Sequence, residues 1–129
     1  MEIKKNKKRF SIVARIKSTN HAWRGIGILF KTTHNFWVQI FFALCATYLG
    51  IIFCITDTEW MFIIFSIGLV FISETLNTAF EIDIDLTSPE YHPYARDTKD
   101  VAAAAVLMST ILAIVLGAII FIPKILLII

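Results

Sequence analysis

Three long apolar runs constrain this chain more than any other feature. They cover roughly 36–55, 60–82 and 100–122. Each is close to the ~20 helical residues that cross a ~30 Å hydrocarbon core. No charged residue lies between Phe36 and Ile55, and none lies between Val101 and Ile122. Between Trp60 and Phe80 the one charged residue is Glu74. Apolar residues make up 57% of the chain, more than a soluble domain of this size has a core to bury. Inside lipid every backbone N–H and C=O must be satisfied within the protein, and helices do this segment by segment. The pattern therefore predicts an all-α integral membrane domain over 1–129, with three transmembrane helices.

The stretch from Ser73 to Asp100 carries the chemistry. Glu74, Asn77, Glu81 and Asp85 stand at i, i+3, i+7 and i+11, which puts them on one narrow helical face. Asp83 points to the other side. The stripe runs for about 16 Å along the helix. Three like charges so arranged need a cation, a proton or a basic partner. Lys99 and Asp100, just ahead of the third run, are the candidate partners. Ionisable groups at the end of a membrane-length helix mark a functional site by default.

Charge asymmetry sets the orientation. Nine of the twelve Lys and Arg residues lie before Phe36, and Arg96 and Lys99 lie between the second and third runs. Three spans put the N-terminus and the 83–99 loop on one side, which the positive-inside rule makes cytoplasmic. The acidic stripe then faces the compartment that holds ATP. The short link from Thr56 to Glu59 faces the other side.

Ahead of the first span, residues 1–34 read as a basic tail followed by an amphipathic helix. Phe10, Val13 and Ile16 begin its apolar face, and Trp23, Ile26 and Phe30 continue it. Such a helix lies in the interface plane, and the tail suits anionic headgroups. Ser18-Thr19-Asn20 is expected to break or cap it. Thr33 or Asn35 is expected to cap the first span, and Pro123 to end the third. The third helix is expected to begin near Arg96 to Asp100. A lysine at a helix N-terminus opposes the dipole, so Lys99 asks for a negative partner such as phosphate. The small residues Ala102 to Ala105 allow close approach of a neighbouring helix. Cys45 and Cys54 are too far around the helix to pair and read as packing residues. No Gly-rich phosphate loop, Cys/His zinc spacing or Gly-x-Ser-x-Gly is present. Soluble kinases of the usual kinds are excluded on that ground, and nothing beyond charge supports a nucleic-acid partner.

From Ser73 to Val106 the chain resembles the small prokaryotic lipid kinases, the diacylglycerol kinase and undecaprenol kinase family. The resemblance rests on Glu74, Asn77, Thr78, Ala79, Glu81, Asp85, Ser88 to His92, Lys99, Asp100 and Ala102 to Val106. Ala22-Trp23-Arg24-Gly25 and His34-Asn35-Phe36 also match family positions. It implies a homotrimer in the bacterial inner membrane, with active sites between subunits at the cytoplasmic face. It implies ATP, Mg²⁺ and a lipid alcohol, undecaprenol or diacylglycerol. Carried over by position, Glu74 is the general base and Asn77 orients the site. Glu81 is a metal ligand that also contacts the nucleotide, with Asp85 as metal support. Glu90, Tyr91, His92, Lys99, Asp100 and His21 are the other nucleotide contacts. The chain departs from the family at Thr33, where a metal-binding glutamate is usual, and at Trp37 and Gln39, where Arg and His are usual. A threonine hydroxyl is a weaker Mg²⁺ ligand than a carboxylate. Two further readings stay open: a catalytically impaired member serving as a membrane interaction subunit, and a small proton-coupled transporter using Glu74.

Overall fold

A computed structural model describes residues 11–128. The basic tail and Phe10 lie outside the described residues. Four helices follow one another: α1 Ile12–Thr32, α2 His34–Ile52, α3 Asp57–Thr87 and α4 Pro93–Leu126. The last three are long and apolar enough to cross a membrane.

Helix α1 runs unbroken through Ser18-Thr19-Asn20, where the sequence suggested an interruption. Thr19 instead turns its hydroxyl back to the Arg15 carbonyl at 3.1 Å, a bond that lets threonine sit inside a helix. Thr33 alone, in extended conformation, separates α1 from α2. Aromatic rings fix this corner. The Phe30 ring meets those of Phe36 and Trp37 edge-on, each at 5.2 Å, and Trp37 Nε1 donates to the Phe30 carbonyl. Phe36 is buried and also packs on Phe71 of α3.

The α2–α3 turn is tight. Cys54 takes a left-handed φ of 46°, and the Ile55 N–H reaches back to the Gly50 carbonyl. Gly50 allows a close approach here: a Cβ would stand 2.7 Å from the Trp60 ring, which would have to shift. Thr56 and Glu59 form a reciprocal capping box that starts α3. The same glutamate pairs with Lys124 at 3.0 Å and so ties the start of α3 to the end of α4. Ile55, Ile63, Ile120 and Phe121 make a small core at this end.

Helix α3 has 31 residues, about 46 Å of rise, and so outruns a ~30 Å hydrocarbon core. Helix α4 begins at Pro93, earlier than the sequence suggested, with His92 as N-cap accepting from the Tyr94 N–H. It continues past Pro123 to Leu126. The connection outside regular structure is therefore only 88–92, although both flanking helical ends belong to the polar 83–99 segment. Helices α3 and α4 pack along one another, while α2 rests on α3 and α1 on α2. Large apolar side chains such as Phe41, Phe65, Met108 and Ile119 remain exposed on α2 to α4. In water that would be costly; in lipid it is the ordinary outer surface of a spanning helix. This is a membrane protein.

Candidate active site

The packing face of α3 reads Ile63, Ser66, Val70, Glu74, Asn77 and Thr78. Its composition changes from apolar to polar at Glu74, without leaving the buried stripe. Glu74 is 2% exposed and Asn77 is 8% exposed. A carboxylate so deeply buried needs hydrogen bonds to offset its lost hydration. Helix α2 supplies two. Asn35 Nδ2 donates to Glu74 Oε2 at 2.9 Å, and Gln39 Nε2 donates to the same oxygen at 2.5 Å. Asn35 and Gln39 are one helical turn apart, so both amides reach across to one point on α3. Asn35 is therefore a Glu74 partner and not a helix cap; the cap position is Thr33, whose side chain makes no capping bond.

Below Glu74 the stripe continues toward the loop. Asn77 Nδ2 donates to Glu81 Oε1 at 3.2 Å, while Asn77 Oδ1 is buried without a partner. Thr33 Oγ1 lies 3.3 Å from Thr78 Oγ1, which pins the α1–α2 corner to α3 beside Asn77. Glu81 and Asp85 are exposed. Lys99 bonds to the Asp85 carboxylate, so the negative partner expected for this lysine is here a side chain. Asp100 pairs with Arg96 one turn away, at 3.7 Å.

The loop end of α3 and the start of α4 enclose an open cleft of about 310 Å³. Asp85, Glu90, Tyr91, His92, Lys99 and Asp100 all line it. Six residues singled out in the sequence thus gather in one place. Glu74, Asn77 and Glu81 form a second group, strung along α3 on the same stripe. Eleven residues, about 16 Å, separate Glu74 from Asp85, so the two groups make an elongated track. His21 is exposed on α1 and lines neither group. Among the described residues no three His, Cys, Asp or Glu side chains converge as a ready metal cage.

A sequence profile described as prokaryotic diacylglycerol kinase matches residues 20–121. The chain belongs to the prokaryotic diacylglycerol kinase family. Within that family it is 38% identical over 108 residues to the undecaprenol kinase of Bacillus subtilis strain 168, covering 84% of this chain and 88% of the relative. It is 33% identical over 110 residues to a diacylglycerol kinase of Synechocystis, covering 84% of this chain and 63% of the relative. It is 29% identical over 100 residues to the diacylglycerol kinase of Escherichia coli strain K12, covering 78% of this chain and 82% of the relative. The resemblance carried by the stripe and loop motifs is thus real family membership, in a family of lipid kinases. The two amides that hold Glu74 were not read as site residues from the sequence. The available signal was Gln39 itself, the one carboxamide in the first apolar run, since polar groups at membrane depth seek a partner.

Proposed function

We propose that this chain is an ATP- and Mg²⁺-dependent kinase that phosphorylates the hydroxyl of a membrane lipid alcohol, undecaprenol or diacylglycerol. The observation that carries the reading is Glu74: a carboxylate 2% exposed in a spanning helix, held by two amide donors. Its place at the buried end of a polar track that runs out to the loop cleft supports two substrates meeting from opposite directions. The lipid hydroxyl comes from the bilayer and the triphosphate from the cleft.

In this reading Glu74 takes the proton of the lipid hydroxyl. The oxygen bonds to the γ-phosphorus, and the electron pair of the broken P–O bond leaves on ADP. Phosphoryl transfer asks the protein chiefly for positioning and charge neutralisation. Lys99 serves the phosphates by exchanging Asp85 for them, and Glu90, Tyr91, His92 and Asp100 serve the nucleotide at the cleft. His21 joins them in the assembled protein. Asn77 orients Glu81 through their hydrogen bond.

The donor set fits Mg²⁺. Glu81 offers an exposed carboxylate, a hard ligand, and Asp85 is a second exposed carboxylate one turn on. Mg²⁺ is ordinarily held by one or two carboxylates together with substrate phosphates, not by a full protein cage. When bound it neutralises phosphate charge. The same reading places α1 in the interface plane, the loop cleft on the cytoplasmic side of the bacterial inner membrane, and the chain in a homotrimer with sites between subunits. The apolar faces left exposed on α2 to α4 accommodate lipid and neighbouring copies alike.

The test is direct. Purified protein in bilayers, given ATP, Mg²⁺ and each lipid alcohol in turn, transfers labelled γ-phosphate to one of them. Absence of transfer to both refutes the proposal.

A further inference from the structure

Both amide donors on Glu74 converge on Oε2. Among the described residues no hydrogen bond reaches Oε1, which leaves that oxygen for substrate. Gln39 shows a second irregularity: its own Oε1 is buried without a partner. Buried acceptors are nearly always satisfied, and one that is not calls for a reason.

The surroundings narrow the reasons. Gln39 lies on the wall of an apolar cavity of about 350 Å³ between α2, α3 and α4, with Phe42, Ser66, Val70 and Thr110 among its neighbours there. The Ser66 and Thr110 hydroxyls are already bonded to carbonyls of their own helices, those of Phe62 and Val106. Gln39 Oε1 is thus the one buried, unpartnered side-chain oxygen or nitrogen on the cavity wall among the described residues.

A carboxylate only accepts hydrogen bonds, whereas a protonated carboxyl donates one. A carboxamide carries donors on nitrogen and an acceptor on oxygen, and a half-turn of its terminal torsion exchanges them. We propose that Gln39 is the positioning residue for Glu74 in both of its protonation states. Nε2 holds the carboxylate before the proton moves, and Oε1 accepts from the carboxyl after it. The inference rests on the reading of Glu74 as general base. The lipid O–H bond breaks and an O–H bond forms on Glu74. The freed oxygen pair bonds to the γ-phosphorus, and the leaving pair goes out on ADP. Glu74 then holds the proton on Oε1, and a half-turn of its own terminal torsion brings that O–H to the amides, where Asn35 Nδ2 has nothing to accept it with. Gln39, turned over, does. When the proton passes on to water, the amide turns back. Leucine at position 39 could serve neither state. Histidine could serve both, because neutral imidazole has one N–H and one lone pair.

The experiment uses the full chain in bilayers with ATP, Mg²⁺ and whichever lipid alcohol it phosphorylates. Gln39→Leu is expected to lower kcat about 10- to 100-fold, the scale of a misplaced catalytic group, with KM for ATP within twofold. Gln39→His is expected to recover most of that loss. Gln39→Met replaces the leucine variant should that one not assemble. Gln39→Leu with kcat within twofold of wild type, while Glu74→Gln is inactive, overturns the role of Gln39 and leaves the base intact. A parallel rise in KM for ATP, or Gln39→His no better than Gln39→Leu, also overturns it. Full activity in Glu74→Gln overturns the base itself.

Discussion

Replacing Asn35 by aspartate is the most searching perturbation of the site. The change is isosteric, and it substitutes a carboxylate oxygen for a donor that lies 2.9 Å from Glu74 Oε2. Two unit charges at that separation repel by about 6 kcal/mol at an effective dielectric of about 20. Solvent relieves part of it, because residue 35 is exposed even though Glu74 is 2% exposed. That penalty is far above thermal energy, and closely spaced carboxylates relieve such repulsion by holding one proton between them. The shared proton replaces the amide hydrogen bond, and the fold survives. Glu74, however, is no longer free to take a second proton from the lipid. General-base assistance is worth about 10²- to 10⁴-fold, so Asn35→Asp is expected to lose at least about 100-fold in kcat with KM for ATP unchanged. The assay is the initial rate of γ-phosphate transfer into the lipid phase, followed across pH. Retention of more than half the wild-type rate at neutral pH would refute the reasoning, because it would mean that Glu74 does not act as the proton acceptor.

Other perturbations address the rest of the track. Lys99→Met is expected to raise KM for ATP about tenfold, since a charge-assisted hydrogen bond is worth about 1.5–3 kcal/mol; an unchanged KM removes Lys99 from the nucleotide site. Asp85→Asn breaks the same ion pair, whose side chains are 37% and 69% exposed, and is expected to shift the thermal midpoint by less than about 1 kcal/mol equivalent. Thr33→Glu places a carboxylate beside Thr78 on the α3 stripe and is expected to lower the Mg²⁺ needed for half-maximal activity about tenfold. An unchanged Mg²⁺ requirement shows that Glu81 and phosphate oxygens hold the ion without it. Gly50→Ala drives a Cβ to 2.7 Å from Trp60 and is expected to cost about 1–3 kcal/mol in detergent melts; a melt as stable as wild type refutes that close approach.

The spans were legible in the sequence because lipid imposes one rule on every backbone group, and a charge-free run of twenty residues has few other ways to obey it. The acidic stripe was legible because helical periodicity acts within one segment: Glu74, Asn77, Glu81 and Asp85 share a face by spacing alone. Helix ends were less legible. The third helix was expected to begin near Arg96 to Asp100, yet proline at a first helical turn fits the missing N–H and the helix begins at Pro93; Pro123 was expected to end it, yet it stays helical where the Glu59–Lys124 pair ties the two helices together.

What the sequence could not supply was the partner of each polar group across helices. Lys99 asked for an anion, but spacing could not say whether Asp85 or a phosphate would meet it. Asn35 looked like a cap because Thr33-His34-Asn35 precedes a span, and local capping is the commoner use of such residues. Its bond to Glu74 joins positions 39 residues apart, and Gln39 joins the same carboxylate across 35. Such distant pairs leave no periodic trace. Burial is what makes them obligatory: once α3 turns Glu74 inward, the carboxylate must find donors or lose its charge, and α2 presents two amides one turn apart. The clue was thus chemical, an amide in a run with no other, and it gains meaning only beside a buried acid that needs it.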